Sequence, residues 1–318
     1  MDKENLAIET KKKNKKPLPK WASLSITIGI CLTCCGAGIA TGIILHNFLS
    51  YEAVDYTALA IEDYEDDLDK LITKYNKTDS SKYFTTFQPY EMAAIGRYKV
   101  TQHNYVKSIS IGEVHAAMGV KQSIRGYYLK DESDYFFESI SKSKIVGVNK
   151  RFYQDKEKVD IYNGKGSEVD KATWSIEDKE TQTIPEYEEK WGRDLTRCSN
   201  FIISSKTTLM DQTSMKKEGN DIVLSLELDP LTSVLRYVKN MKAMSDLDDY
   251  PVFHKMHVDM KLDSELNIKW VKSDEVYDVK SFGVTSKNTS GSTEETFSYD
   301  QKEEIPDLNT DCVYTKGE

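Results

Sequence analysis

The chain has 318 residues, of which 39% are hydrophobic and 30% charged, a balance that is ordinary for a protein with a buried core. Its formal net charge is −9, although the first 20 residues carry seven lysines against three acidic residues, so the remainder is strongly acidic. An acidic surface is repelled by the phosphates of nucleic acids. The composition therefore excludes a disordered protein and argues against DNA or RNA as a partner.

An uncharged apolar stretch follows the basic tail. Residues 21–49 contain no Asp, Glu, Lys or Arg, and the apolar run over 22–45 is long enough, as a helix, to cross a hydrocarbon core about 30 Å thick. Lysines before it and acidic residues after it follow the positive-inside preference. We therefore expect a single-pass membrane protein with a cytoplasmic tail (1–20), a transmembrane anchor (21–49) and one extracytoplasmic β-rich domain (50–318).

Two features of this stretch leave other interpretations open. Cys31, Cys34 and Cys35 lie inside it, as they would in a lipoprotein signal or at palmitoylated positions. The apolar run continues beyond these cysteines without a cleavage site, so a retained anchor is preferred. Gly38 and Gly42 have the spacing that lets membrane helices approach closely, which would support a homodimer through the anchor, although glycine is common in membrane helices in general.

Apolar residues recur at steps of three and four just after the anchor. They are Val54, Ala58, Ile61, Tyr64, Leu68, Leu71 and Tyr75. This spacing predicts one amphipathic α-helix over residues 54–75, followed by a loop over 77–82. The other face of the helix is acidic. Because no turn glycine separates its carboxylates, we interpret that face as solvated rather than as a calcium site.

Alternation of apolar and polar residues, the pattern of half-buried strands, begins near Tyr105. A first series of such segments covers 106–111, 124–129, 135–140 and 145–152. A second covers 222–228, 256–262 and 266–279, with a hairpin turn at 263–265, and ends with short strands near 282–285 and 296–299. Short alternating segments in series predict antiparallel pairing.

Two helices are predicted between the strands. Asp229 can cap a helix whose first turn contains Pro230 and whose apolar face continues to Met241. A shorter helix is predicted over 185–195. Together the patterns predict an α+β fold, in which a transmembrane helix and an amphipathic helix precede a large, mainly antiparallel sheet or half-barrel packed on one or two helices.

The sequence contains no catalytic or cofactor motif of the common kinds: no Gly-x-Ser-x-Gly, Walker loop, Rossmann glycine set or His-Glu-x-x-His occurs. His254 and His257 are the only close pair of histidines, and residues three apart on a regular strand face opposite ways. We therefore expect a non-catalytic protein with no cofactor, no metal site and no catalytic residues.

Cys198 and Cys312 are the only cysteines after the apolar stretch. An even pair in an oxidising compartment can form a disulfide, which here would close a long loop and stabilise the fold by about 3–5 kcal/mol. Two unpaired thiols are the alternative.

Apolar residues of the predicted strands and of the 229–241 helix are the candidates for facing a ligand or filling the core. They are Tyr128, Phe136, Leu224, Leu226, Val234, Val238, Met241, Met256, Val258 and Met260. Aromatic residues in strands more often fill a core than hold a ligand.

The predicted elements follow one another in this order: the anchor, the amphipathic helix, the strands "YYLKDESDYFFESI" and "VNKRFYQDKEKVDIYNG", the helix "DPLTSVLRYVKNM" and the hairpin "VFHKMHVDMKLDSELNIKWVKSDEVYDV". This order resembles that of the bacterial LolA-like lipoprotein carriers, including the LppX and LprG type. The resemblance implies an unclosed antiparallel β-barrel wrapped over helices, with an apolar interior that holds lipid or lipidated protein. This chain keeps an apolar span where those carriers have a cleaved signal, so local binding is expected rather than transport between membranes.

The leading hypothesis is therefore a tethered, non-catalytic binding module for an acyl chain, a lipid or an apolar protein segment. The alternative is a structural, scaffold or regulatory protein of the cell envelope that recruits protein partners without binding lipid.

Overall fold

A single antiparallel sheet runs through the part of the chain that the computed structural model describes, namely residues 51–116, 119–143, 147–165, 173–193, 195–196, 199–245, 247–281 and 283–309. Its eleven strands are β1 (Tyr105–His115), β2 (Lys121–Asp131), β3 (Asp134–Ser143), β4 (Gly147–Gln154), β5 (Lys158–Asn163), β6 (Lys179–Thr183), β7 (Ser214–Glu218), β8 (Asp221–Leu228), β9 (Val252–Leu262), β10 (Ile268–Ser281) and β11 (Val284–Tyr299). Their order is β6-β5-β4-β3-β2-β1-β11-β10-β9-β8-β7, so only the pairing of β1 with β11 joins strands that are distant in sequence.

Five α-helices accompany the sheet in the described residues. They are α1 (Leu68–Asn76), α2 (Tyr83–Thr86), α3 (Pro89–Gln102), α4 (Ile184–Trp191) and α5 (Leu235–Ser245). The predicted α+β class with a large antiparallel sheet is confirmed, although the helices outnumber the one or two predicted. No helix of the described residues is long and apolar enough to span a membrane. The predicted tail and anchor, with Gly38 and Gly42, lie outside the described residues.

The continuous helix predicted over residues 54–75 is wrong in its first half. Tyr56–Ala58 and Ile61–Tyr64 form separate 3-10 turns, and the α-helix begins only with α1. The Asp55 and Asp67 carboxylates accept hydrogen bonds from backbone N–H groups two and three residues later. Aspartates that bind the nearby backbone in this way start new turns and thereby interrupt a longer helix.

Helix α3 is absent from the sequence-based prediction but has clear end signals. Pro89 occupies its first turn, and Gln88 and Glu91 form a reciprocal capping box in which the Gln88 N–H donates to Glu91 Oε2 at 2.8 Å. At the other end the buried Lys130 ammonium group donates to the Thr101 carbonyl at 2.6 Å. The positive charge thus lies where the helix dipole is negative, and burial lowers the Lys130 pKa.

Several observed strands extend beyond the alternating segments that predicted them, and some strands were missed. Strand β11 is one continuous strand, whereas the pattern predicts two short ones near 282–285 and 296–299. The edge strands β6 and β7 have no predicted counterpart. The predicted hairpin turn before β10 is confirmed, since the Asp263 N–H donates to the Asn267 carbonyl at 2.9 Å.

The helices cover one face of the sheet, which we call the inner face. Alternate residues of β8 and β9, among them Leu224, Leu226, Met256, Val258 and Met260, are almost completely buried there against the helices. Each such side chain contributes on the order of 1.5–3 kcal/mol through burial. The inner face therefore carries the principal core.

The opposite, outer face has a smaller core beneath the C-terminal segment 300–309. Ile305 packs on a cluster that includes Phe136, while the Glu303 carboxylate accepts a hydrogen bond from Tyr127 at 2.7 Å. Arg151, which is fully buried, donates to Glu138 at 2.8 Å and lies 3.7 Å from the centre of the Trp174 ring. This segment thus seals one half of the outer face.

A bulge in β9 changes the expectation for the two histidines. Lys255 pairs with Val276 and Phe253 with Tyr277, so His254 is an extra residue in its strand. Phe253 is buried whereas His254 is exposed. Because the bulge shifts the alternation, both His254 and His257 lie away from the helix-covered face rather than on opposite faces.

Candidate ligand-binding cavity

Most of the apolar residues proposed to face a ligand or fill the core do the latter. Leu224, Leu226, Val234, Val238, Met256, Val258 and Met260 are buried in the principal core, and Met241 packs at its margin. Phe136 is buried on the outer face under the C-terminal segment. Only Tyr128 of the ten also lines a cavity.

The cavity, of about 160 Å³, lies between the inner face and the helices. Its floor comes from the middle of the sheet, where Ser110, Tyr128, Phe137, Ser273, Thr293, Glu295 and Phe297 line it. Its roof comes from α3, α5 and the segment after α4, which supply Arg97, Tyr237, Arg193, Ser199, Asn200 and Phe201. The Phe201 and Tyr237 rings meet edge to face with centroids 5.1 Å apart. The cavity lining thus mixes aromatic and aliphatic side chains with polar ones on both sides.

Small side chains explain why space remains at this point of the sheet. A Cβ atom on Gly126 would come within 2.2 Å of Ser110 Oγ, and one on Gly112 within 2.5 Å of Thr293 Oγ1. The neighbouring positions of β8 and β9 carry leucine, valine and methionine and are filled. Gly112 and Gly126 are therefore close-packed against Thr293 and Ser110, whereas the small serine and threonine side chains that line the cavity leave the volume that larger side chains occupy elsewhere.

Glu295 is the acidic residue among those that line the cavity. Its carboxylate accepts a hydrogen bond from Ser108, and burial raises its pKa, while the positive charges of Arg193 and Arg97 act in the opposite direction. The side chain lies deep in the protein yet retains some accessible surface, because that surface faces the cavity. The cavity thus combines two guanidinium groups with one carboxyl group.

A groove at the protein surface adjoins the cavity. It has a volume of about 430 Å³ and lies among α1, α3 and residues 196–203. Its lining mixes apolar side chains with the charged Glu65, Asp66 and Arg236; the apolar ones include Leu68, Leu71, Ala94, Ile202 and Ile203. Arg97, Ser199 and Phe201 line both spaces, and Arg97 Nη1 donates to the Phe201 carbonyl at 2.7 Å. This contact lies on the boundary that the surface groove and the interior cavity share.

Tyr237 connects the cavity roof to a second buried carboxyl group. Its hydroxyl donates to Glu275 Oε1 at 3.1 Å, and Glu275 Oε2 has no partner among the described residues. Burial raises the pKa of Glu275 from 4.5 to about 7. A Cβ on Gly291 would come within 2.6 Å of this carboxyl group, so glycine gives it room on the neighbouring strand.

A wider depression of about 710 Å³ lies on the outer face over β1, β10 and β11. Its lining mixes the apolar Ile109 and Ile111 with charged residues of both signs, such as Lys272 and Glu294. Half of the Ile111 surface is exposed to solvent. Because small-molecule sites bury most of their ligand, we assign the candidate site to the inner cavity instead.

A polar cluster around His257 was missed by sequence reasoning, because its members come from two strands, β8 and β9. His257 Nδ1 lies 2.9 Å from Glu227 Oε2, and His257 Nε2 lies 3.1 Å from Asp259 Oδ1 and 3.4 Å from Ser225 Oγ. If Ser225 were a nucleophile, His257 Nε2 would have to act as its base. That nitrogen lies closer to Asp259 than to Ser225. The described residues contain no group of three or more His, Cys, Asp or Glu arranged to hold a metal ion.

Cys198 and Cys312, the candidate disulfide, lie outside the described residues. Comparison of the chain with protein-family models and with curated proteins finds no match.

Proposed function

We propose that this chain is a membrane-tethered, extracytoplasmic binding module for a small amphiphile or lipid. The observation that carries the proposal is an interior cavity beside a surface groove, with Arg97, Ser199 and Phe201 in the lining of both. The cavity is lined by aromatic and aliphatic side chains with a few polar groups among them, a combination typical of sites for small ligands. An open antiparallel sheet with helices on one face is also what the resemblance to LolA-like carriers implies.

An unpartnered buried acceptor supports a ligand in the cavity. Asn200 lines the cavity, and its Oδ1 atom is buried with no hydrogen-bond partner among the described residues. An unpaired buried polar atom costs roughly 1–3 kcal/mol, which a ligand that satisfies it would recover.

The dimensions limit the ligand. The cavity alone is smaller than the roughly 300 Å³ at which ligand pockets for drug-sized molecules begin. An engineered apolar cavity of about 150 Å³ holds a molecule such as benzene. A longer ligand, such as an acyl chain or another linear group, would have to displace the Arg97–Phe201 contact to extend into the groove.

The test is copurification with a cavity-filling variant. The full chain is purified in nanodiscs of deuterated lipid, extracted with organic solvent and assayed by mass spectrometry for undeuterated amphiphiles. Ser273→Phe places a ring in the cavity, whereas Ser292→Phe places the same ring on the outer face one strand away. We expect a stoichiometric amphiphile in the parent and in Ser292→Phe, and its loss in Ser273→Phe. Equal recovery from both variants would contradict the proposal.

The tether is tested separately. Residues 1–20 and 21–49 have the charge and apolarity of a cytoplasmic tail and an anchor. We expect the chain to remain in the membrane fraction after alkaline extraction, with its C-terminal part digested by protease added to intact spheroplasts. A mature chain that begins beyond residue 35 and is soluble would refute the anchor.

The filled part of the inner face favours a second candidate function, an envelope scaffold. Seven of the ten candidate residues are packed in the principal core rather than arranged around a space. A scaffold predicts a discrete protein adduct after crosslinking in membranes and no bound amphiphile. A bound amphiphile that Ser273→Phe removes would exclude this alternative as the sole function.

A further inference from the structure

Five aromatic rings line the inner cavity, and they come from both of its sides. The sheet supplies Tyr128, Phe137 and Phe297, while the roof supplies Phe201 and Tyr237. Aromatic rings pack favourably on one another in offset or edge-to-face arrangements. A flat aromatic ligand therefore gains ring contacts from floor and roof, whereas a flexible saturated chain gains none and loses conformational freedom on binding.

Contacts outside the cavity hold these walls in position. Phe137 stacks on Phe152 with ring centroids 5.9 Å apart, and the Tyr237 hydroxyl donates to Glu275 at 3.1 Å. Phe152 and Glu275 are not part of the cavity lining, so each supports its wall from behind. Walls that are already in position lose little freedom when a ligand binds.

The unpartnered acceptor of the cavity defines the polar group that a ligand needs. Asn200 Oδ1 is buried and receives no hydrogen bond among the described residues. A side-chain amide oxygen accepts hydrogen bonds and cannot donate them. A ligand that satisfies this atom must therefore bring a donor of its own, such as a hydroxyl group.

The charged residues favour a ligand without a net charge. Arg97, Arg193 and Glu295 all line the cavity, and both guanidinium groups act electrostatically on the carboxyl group. The lining thus already contains both signs of charge. A charged ligand of either sign would lose its hydration beside a group of like charge.

The volume limits the ligand to one ring. The cavity of about 160 Å³ is close in size to the engineered cavity of about 150 Å³ that holds benzene. A six-carbon ring with one small polar substituent fits such a volume. Its binding leaves the contact between Arg97 and the Phe201 carbonyl in place.

We propose that the ligand is a neutral, single-ring phenol that lies between the rings of the sheet and those of the roof and donates its hydroxyl hydrogen bond to Asn200 Oδ1. This inference rests on the proposed function and specifies the ligand class of the same site.

The experiment uses three probes of similar size, which separate the ring from the donor: phenol, toluene and cyclohexanol. The full-length protein is stripped of bound amphiphile, placed in nanodiscs and titrated by calorimetry, with empty nanodiscs as the blank. We expect phenol to bind more tightly than toluene, which has the ring but no donor. Cyclohexanol keeps the hydroxyl group but lacks the aromatic ring, and it should bind about 3-fold or more weakly than phenol.

Matched variants locate the hydrogen bond. Asn200→Leu removes the amide from the cavity, whereas Asn104→Leu makes the same change at an exposed position just before β1. The ratio of phenol affinity to toluene affinity should fall about 5-fold or more in Asn200→Leu and keep its parental value in Asn104→Leu. Ser273→Phe, which fills the cavity, should abolish the binding of all three probes.

Specific outcomes overturn the inference. Toluene binding as tightly as phenol, or an unchanged affinity ratio in folded Asn200→Leu, would refute the hydrogen bond to Asn200. Cyclohexanol binding as tightly as phenol would refute the aromatic class. The comparison of the three probes on the parent needs no variant, so it decides the ligand class even if Asn200→Leu does not fold.

Failure of the inference is distinguishable from failure of the proposed function. If no probe binds but an amphiphile copurifies and is lost in Ser273→Phe, the phenol is refuted and the binding function stands. If no probe binds and no amphiphile copurifies, the cavity holds only water, and the proposed function fails together with the inference.

Discussion

Tyr237 on α5 donates a hydrogen bond of 3.1 Å to Glu275 on β10, and this contact joins the cavity roof to a carboxyl group that is only 7% exposed. Burial raises the Glu275 pKa to about 7. The native state therefore binds a proton more tightly than the unfolded chain, in which the group titrates near its ordinary value. The folded state therefore stabilises the protonated form of the Glu275 carboxyl group.

The first prediction concerns stability against pH. Because the pKa of Glu275 is raised in the folded state, its stabilising contribution to the free energy of unfolding is fully present below about pH 4.5. This contribution is lost as the pH rises through about 7. Glu275→Gln, which cannot ionise, removes this loss. We expect the variant to gain stability relative to the parent between pH 5 and pH 8, by up to roughly 3 kcal/mol.

Urea denaturation at a series of pH values measures the difference. Glu294→Gln on the exposed outer face is the matched control and should follow the parent at every pH. A parallel pH dependence of the parent and Glu275→Gln would show that Glu275 is not the group responsible.

The second prediction concerns the buried ion pair of the outer face. The Arg151 and Glu138 side chains are 0% and 1% exposed, and the guanidinium also donates to the Leu308 carbonyl at 3.1 Å. Glu138→Leu leaves a buried cation without its carboxylate and should lower the free energy of unfolding by about 3–5 kcal/mol. The double variant Glu138→Leu/Arg151→Met should recover part of this loss. A double variant as unstable as the sum of the two single variants would disagree with this account.

The third prediction separates a steric clash from backbone strain. Gly192 ends α4 with φ of 81°, and an added Cβ would come within 2.3 Å of the Arg236 carbonyl oxygen. Gly219 has φ of 66°, and an added Cβ there would meet nothing within 4 Å. Both alanine variants carry left-handed strain of about 1–2 kcal/mol, but only Gly192→Ala adds a clash with backbone.

Thermal unfolding should therefore show a clearly larger drop in Tm for Gly192→Ala than for Gly219→Ala. Equal losses would mean that the chain near Arg236 adjusts without cost. The comparison needs no ligand, so it tests the packing of α4 on α5 independently of the proposed function.

The fourth prediction concerns the C-terminal segment. Ile305 packs on the outer-face cluster with Phe136, so Ile305→Ser should weaken the attachment of the segment and cost about 1–2 kcal/mol. Ile176 is 73% exposed, and Ile176→Ser should leave stability within about 0.5 kcal/mol of the parent. Limited proteolysis followed by mass spectrometry should show faster cleavage after residue 299 only in Ile305→Ser. Unchanged protection of that segment would argue against its packing role.

Local patterns predicted the parts of the fold in which one side of an element is buried and the other is solvated. Strand β8, and β9 from Met256 onward, alternate strictly because their inner residues meet the helices. The Asp229 carboxylate accepts from the Thr232 N–H at 2.8 Å as a cap would, but it closes a turn before the helix, and α5 begins only at Leu235 rather than at Pro230 as predicted. Such signals lie within a few residues of each other and are readable without the fold.

Other elements escaped prediction for physical reasons. Helix α3 mixes small and apolar residues around most of its circumference, so it lacks a clear apolar stripe, and its capping box was the readable signal. The edge strands β6 and β7 are polar, with mostly exposed residues, and are held by pairing with β5 and β8. Conversely, residues 54–67 have helical spacing but are diverted by their own aspartates.

The sequence alone determined the acidic character of the main domain, the α+β class and the antiparallel pairing, because composition and periodicity act over short distances. Only the tertiary structure decided the candidate site. Arg97 and Glu295 are almost two hundred residues apart and meet because β1 pairs with β11. A cavity is a volume that several elements leave unfilled, here the central strands, α3, α5 and residues 199–201, and no local pattern encodes an unfilled volume.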